Sequence, residues 1–539
     1  MSEPRAGCIG WLARLLRGGA SNSAAAGAAA EPDAARTSAW RAAAERGDWR
    51  CLAELVRATR DSDFDRADAA SEALAQLVPR IPAARLRDAA QAMRADDTAW
   101  KALGLSTVAH YDTDAHVAGL LALTLHSSGH VRERALRAVA HRAPDPVELP
   151  FLIERAVDSV QPVRMAAETA IARHLAPVHA RAWAAQLEQL QHLQRRERAE
   201  AARLFGSVAK LLLAPGAGAA LEDALRAGSR AVAEAALAIA GTAEPARLAA
   251  ALEIASAHAD PFVRAHAVRA WLRVPASAAR DACLERARTD RSLFVRREVL
   301  RAAVDLPAAE RRARVHGFLL DPCAALRFLA RHLWKQVGDG PAEAPLELYR
   351  SALSDADARI VAAAASGIGE CGSAADAALL EPLVEHASPR VASAAVRAIA
   401  QLDGPARVAW LAVQLDASAA GVGRAAAAWL AKLGGADPAV LRTLVARARH
   451  ARARRRAAAL LLARARYDAL VDALELAGHS DPELAQQARA WLERLGPTAP
   501  SHAPTPEQEQ RIRAALARSG PALAQDMRAK IERLLWGSK

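Results

Sequence analysis

The apolar positions of this chain recur in a fixed register. In the stretch from Asp260 to Leu272, Val263, Ala267, Val268, Trp271 and Leu272 follow the i, i+4, i+5, i+8 spacing of one broad helical face. Asp260 is suited to cap the first free backbone N–H, and Pro261 sits where its missing N–H costs nothing. With Val263 as position zero, equivalent anchors are Asp65, Trp100, Val131, Val163, Glu197, Val232, Val295, Leu326, Ile360, Val391, Val422, Ala453 and Leu484. They return every ~32 residues, a period in the range of solenoids and arrays.

Four positions after the anchors the residue is small: Ala69, Gly104, Ala135, Ala167, Ala201, Ala236, Ala267, Ala330, Ala364, Ala395, Ala426, Ala457 and Ala488, with Val299 the one larger member. Eight positions after, it is usually large and apolar, as at Val139, Ile171, Trp271, Trp334, Ile399 and Leu461. Small beside large, repeated in register, predicts helices stacked side by side. A shorter helix precedes each unit, such as Pro245 to Ala257 before Asp260, so each repeat reads as helix, turn, helix. The expected class is all-α.

The pattern Asp-Pro-x-Val-Arg-x-x-Ala-x-x-Ala-Leu resembles the second helix of a HEAT repeat, in particular the bacterial HEAT-like type also seen in phycobilin lyases. The resemblance runs from about Ser38 to Gly496. It implies a right-handed α-solenoid of about 14 helical hairpins, with the second helices along the concave side. It also implies that the arginines one after the anchor (Arg66, Arg132, Arg164, Arg198, Arg264, Arg296, Arg327) pair with the turn aspartate of the same or the next unit. Asp260, Asp290 and Asp321 are available for this. It implies no single activity, since the fold hosts scaffolds, nucleic-acid binders and a few enzymes. Nothing in the chain selects a bilin substrate.

Residues 1–37 and 497–539 lie outside the periodicity. Cys8 to Arg17 groups Trp11, Leu12, Leu15 and Leu16 on one helical side. It is expected to pack on the first repeat, with a docking peptide or weak membrane-surface contact as the alternative. Gly18 to Arg36 reads as a flexible Ala/Gly/Ser linker, residues 38–496 as the repeat array and 497–506 as a Pro-rich linker. Residues 507–539 read as a helical segment that covers the open apolar end of the last repeat.

Charge complicates this picture. Lys+Arg number 72 against 60 Asp+Glu, a formal +12, a balance typical of nucleic-acid binders. Nearly all of the base is Arg, with Lys only at positions 101, 210, 335, 432, 530 and 539. Abundant Ala with Arg in place of Lys is what GC-rich codon usage produces. The five cysteines are scattered without a C-x-x-C pair, which fits free thiols in the cytoplasm. No stretch is long and apolar enough to predict a transmembrane helix, and the N-terminus does not read as a secretory signal.

No catalytic, cofactor or metal site is expected. There is no phosphate loop and no H-E-x-x-H. His110, Asp112, Asp114 and His116 read as a solvated turn rather than a metal cluster. Gly367 and Gly369 read as a helix end, and Gly421 and Gly423 as a tight turn. The remaining candidates are arginines. Six after the anchor stand Arg137, Arg203, Arg269, Arg301 and Arg397, with His332 in register. A denser group comprises Arg442, Arg447, Arg449, Arg452, Arg454, Arg455, Arg456, Arg464 and Arg466, with Asp468 as its nearby acid and Tyr467 as its aromatic neighbour. The expected function is a non-catalytic scaffold that binds protein partners, acidic ones among them, through the groove and this patch. The alternative is a protein that binds the nucleic-acid backbone through the same arginines. Interleaved acids such as Glu133, Glu168 and Glu298 argue against one continuous basic track.

Overall fold

The computed structural model describes residues 27–95, 103–112, 117–195, 199–336, 344–495, 503–519 and 523–536. Among these residues every regular element is helical and there is no strand. The chain divides into two compact units, Met1–Ala287 and Arg288–Lys539.

The helix Pro261–Trp271 forms as its sequence dictates. The Asp260 carboxylate accepts the Phe262 N–H at 2.7 Å, and Pro261 opens the first turn. In the first unit, second helices of successive repeats lie side by side, as Gly129–Ala140 does on Gln161–His174. Tyr111, Phe151, Trp183 and Trp271 fill the spaces between layers and are 0–1% exposed. In the second unit the helices Ala358–Cys371, Pro389–Asp403, Ala420–Lys432, Ala451–Leu462 and Pro482–Glu493 pack each on the next.

The small residue four after the anchor is what permits this stacking. From Ala69 to Ala488 these residues are 0–7% exposed, Val299 included, with one exception. Gly104 is only partly buried, and the helix there starts at Leu105, so the Trp100 register does not describe that repeat. Asp65 departs in a different way: it is exposed, and Ala69 carries the contact alone.

The turns carry a regularity of their own. In eight of the repeats Asp or His stands five residues before the anchor, and its side chain accepts the backbone N–H two residues on. Asp158, Asp290, Asp321 and Asp355 do so with Oδ1 at 2.7–3.0 Å. His126, His258, His386 and His479 do so with Nδ1 at 2.9–3.0 Å. A backbone N–H can only donate, so each of these histidines is held with its proton on Nε2.

Where an arginine follows the anchor it holds the preceding turn; Arg66 does so through the Asp61 carboxylate of its own turn at 2.9 Å. Arg132, Arg164, Arg264, Arg296 and Arg327 all donate from Nη1 to the carbonyl six residues back, at 2.7–2.9 Å. These are turn carbonyls two or three residues past the end of the preceding helix, which need donors. Arg132 and Arg296 also form bidentate bonds to the turn aspartate of the next repeat, Asp158 and Asp321. The recurrent acceptor is thus a carbonyl, and the aspartate is an addition made where the next turn supplies one. Asp260 serves instead as a helix cap.

The N-terminal end differs from the sequence reading. Gly27–Arg46 is one helix, so helical backbone already runs through the second half of the expected linker, and Arg36 there bonds Glu54 at 2.9 Å. Trp40, on the same helix, is 4% exposed. At the other end Ile512, Ala515, Leu516 and Ile531 join the core of the last repeats. The Cys8–Arg17 motif and residues 497–502 of the Pro-rich stretch lie outside the described residues.

Candidate functional site

Around a second helix, at 3.6 residues per turn, positions 0, +4, +5 and +8 form the buried face. Positions −1, +2, +3 and +6 fall within about 100° of one another on the opposite face. Arg137, Arg203, Arg269, Arg301 and Arg397 occupy +6 and are exposed, as is His332. Arg137 is tied to Glu133 on its own helix at 2.6 Å, and Arg203 stands 3.6 Å from Glu168 of the preceding repeat. Arg301 and Arg397 have no carboxylate within ion-pair distance among the described residues.

The dense arginine group separates into two sets. Its sequence neighbourhood offered Asp468, but the fold brings acids from other repeats. Arg442 and Arg464 both bond Asp472, at 2.8 and 3.0 Å. Arg449 lies 3.7 Å from Asp416, and Arg455 pairs with Glu483. Arg454 is the anchor-plus-one arginine of its repeat. It donates to the Ala448 carbonyl six residues back and stands 3.5 Å from Asp481 of the next turn, so it belongs to the structural ladder. Arg452 and Arg456 form the second set. Arg452 donates to the Ser418 carbonyl and Arg456 to that of Ala420 at 2.9 Å. Neither has a carboxylate within ion-pair distance among the described residues. Arg424, at +2 of the adjacent helix, is exposed and equally without one.

The glycine pairs have roles that the sequence hid. Gly423 lies in the first turn of the helix Ala420–Lys432 and is not a tight turn. A Cβ there would stand 2.4 Å from Arg456 Nη1, so the absent side chain makes room for the guanidinium. Gly367 likewise admits the Tyr349 ring, and Gly369 lets Ala398 approach; both lie inside the helix Ala358–Cys371 rather than past its end. Tyr349 is fully buried, and its phenol accepts from Arg331 at 3.2 Å. Burial pushes that phenol above its usual range despite the arginine.

Of the four residues weighed as a metal cluster, Asp114 and His116 lie outside the described residues. Among the described residues no group of His, Cys, Asp and Glu is arranged to hold a metal, and no single helix is long and apolar enough to cross a membrane. The first unit holds a cavity of about 430 Å³, lined in part by Arg87, Glu154, Glu188, Gln189 and His192. Gln189 donates to the Pro150 carbonyl at 2.9 Å, which leaves its buried Oε1 without a donor. Arg87 closes on Glu154 at 2.8 Å in this lining. The cavity has the volume of a small-molecule site and a mostly apolar wall that also carries charges of both signs.

No family model matches the chain, and no curated protein matches it. Solved structures do. Importin beta is 13% identical over 94% of this chain and 66% of its own, with a TM-score of 0.33. A Kap121p mutant is 13% identical over 91% and 56%, at 0.35. Yeast importin-beta (Kap95p) is 14% identical over 90% and 69%, at 0.33. The chain thus spans only 66% and 56% of the first two structures it matches. At this level of identity the similarity concerns helical architecture alone.

Proposed function

We propose that the chain is a non-catalytic adaptor that holds a protein partner against the exposed side of its second helices. The observation that carries this reading is the outward set of Arg137, Arg203, Arg269, Arg301 and Arg397, which hold one register position on five of the repeats. Repeat arrays present such rows at near-constant spacing, which suits an extended or helical partner surface rather than a small substrate. The charge of the row favours an acidic partner. On the resemblance described above, the array is a right-handed solenoid of about 14 hairpins with this row in its groove, and its free thiols fit the cytoplasm.

The test is a nuclease-treated pull-down with cross-linking from the source cell. It compares the natural chain with a variant carrying Arg137→Gln, Arg203→Gln, Arg301→Gln and Arg397→Gln. A partner lost only from the variant supports the reading. Retention of every partner by the variant overturns it. A nucleic-acid-backbone binder would instead lose its ligand on nuclease treatment, and its affinity would fall steeply with salt as counterions are released.

A further inference from the structure

Two guanidiniums one turn apart on the helix Ala451–Leu462 have buried N–H groups with nothing to bond. They are Nε of Arg452 and Nη1 of Arg456. Nη2 of Arg452 donates to the Ser418 carbonyl and Nη2 of Arg456 to that of Ala420, which hold both groups in place. These two N–H groups are shut off from solvent, that of Arg456 against Gly423, so a ligand meets the exposed edges of the two half-buried guanidiniums. Burial and the neighbouring guanidiniums of Arg452, Arg424 and Arg455 lower Arg456 from its ordinary value, so like charges crowd this point. Arg455 answers to Glu483, whereas Arg424, Arg452 and Arg456 answer to no carboxylate among the described residues.

The spacing says what shape the acceptor takes. Arg397 at +6, Arg424 at +2, and Arg452 and Arg456 at −1 and +3 occupy the outward sector of three successive second helices that pack each on the next. Packed helices stand about 8–10 Å apart. A peptide in the polyproline II conformation advances about 3.1 Å per residue with three residues per turn, so every third side chain returns to the same face and meets the next helix. We propose that Arg397, Arg424, Arg452 and Arg456 form a binding track for an extended peptide segment that carries an oxyanion at every third residue, with Arg452 and Arg456 as its fixed end. This rests on the adaptor reading above and names the chemistry of the partner for that reading. Single-stranded nucleic acid would need aromatic faces on which to stack its bases. The nearby Trp429 ring is already covered by Lys432, whose Nζ stands 4.5 Å from its centre.

The experiment titrates the full chain with fluorescent peptides and reads anisotropy. One peptide carries glutamate at every third position, one carries phosphoserine there, and one has the same number of glutamates bunched together. The variant Arg424→Gln/Arg452→Gln/Arg456→Gln is compared with Arg181→Gln/Arg513→Gln/Arg528→Gln, which removes the same charge elsewhere. The spaced peptides are expected to bind, to lose about tenfold or more in the first variant and less than about threefold in the second. The bunched peptide is expected to bind more weakly than the spaced ones. Tighter binding of the phosphoserine peptide assigns phosphoryl groups as the oxyanion, and tighter binding of the glutamate peptide assigns carboxylates; either supports the track. Arg424→Gln alone guards against misfolding, since that exposed side chain holds nothing in place, and it is expected to weaken binding by about threefold.

Equal losses in the two triple variants would reduce the effect to a general field and overturn the proposal. So would failure of both spaced peptides to bind, indifference to spacing, or a single-stranded oligonucleotide that binds more tightly and is lost in the same variant. If the track fails while the Arg137 row still retains its protein partner in the pull-down, the adaptor reading stands without it.

Discussion

Two buried aspartates, one in each unit, receive the same arginine escort and respond in opposite ways. Asp158 lies in the turn between the helices Leu149–Arg155 and Gln161–His174. It takes Arg132 in bidentate fashion at 3.0 and 3.1 Å, Arg155 at 2.7 Å and the Val160 N–H at 3.0 Å. Asp472 lies inside the helix Arg466–Ala477 and takes Arg442 at 2.8 Å and Arg464 at 3.0 Å. Burial disfavours the charged form of both. At Asp158 the Val160 N–H and the two guanidiniums outweigh burial and hold the carboxyl below the usual range. At Asp472 burial prevails and raises it, even against Arg442 and Arg464. The turn supplies what the helix cannot, because backbone N–H groups inside a helix are already spent on the preceding turn. The arginines differ too. Arg132 and Arg155 are 8% exposed, whereas Arg442 is 40% and Arg464 21%, so the second pair stays partly screened by water.

The largest effect follows at Asp158. Asp158→Asn strips the carboxylate from buried Arg132 and leaves Arg155 only Glu154, 3.8 Å away, and is expected to cost about 3–5 kcal/mol, read by urea denaturation. A cost below about 1 kcal/mol would mean that Arg132 and Arg155 find other acceptors, and that the turn is no special environment.

A steric contact ranks next and shows whether polar stitches or close packing dominates the array. A Cβ on Gly369 would stand 2.7 Å from Ala398 Cα and 2.8 Å from its Cβ. Gly369→Ala must therefore push the helices Ala358–Cys371 and Pro389–Asp403 apart, at an expected cost of about 1–3 kcal/mol. Ala395→Leu, where Ala395 is fully buried, should cost a similar ~1–3 kcal/mol. Melting midpoints unchanged in both variants would show that the helices separate freely, and the ion stitches would then carry the register.

Most of the fold was legible because it depends on local periodicity. The anchors, the small residues four positions on and the Asp260 cap could each be read within one repeat. What was not legible depends on neighbours about 30 residues away. Arg454 looked like part of a charge run, yet its position one after Ala453 was the available sign that it belonged to the ladder. Asp472, Asp481 and Glu483 reach the arginine group only through the stacking of repeats. Gly367, Gly369 and Gly423 mark close approaches of other elements and carry no local signature to distinguish them from helix ends. The Asp-or-His turn acceptor was visible in register, but the two residue types look unlike until both are seen to supply one acceptor atom.

The smallest effect, and the sharpest on the comparison, is expected at Asp472. Asp472→Asn keeps the shape and removes a charge that the folded state disfavours. Its arginines keep access to water, so at neutral pH the cost is expected to be about 1 kcal/mol or less. The pH dependence should then separate the two aspartates. A carboxyl raised by folding contributes stability below the unfolded value near 3.9 and loses it as pH climbs through the folded value. The penalty of Asp472→Asn should therefore shrink as pH rises through and above the unfolded value. A carboxyl lowered by folding does the reverse: its contribution is complete above the unfolded value and is lost as pH falls through the folded one. The penalty of Asp158→Asn should grow as pH rises toward about 4 and stay level beyond it. Urea denaturation of the two variants and the natural chain across this range reads both slopes. Parallel slopes would mean that the Val160 N–H does not decide the difference, and that the two arginines set the charge state of both carboxylates alike.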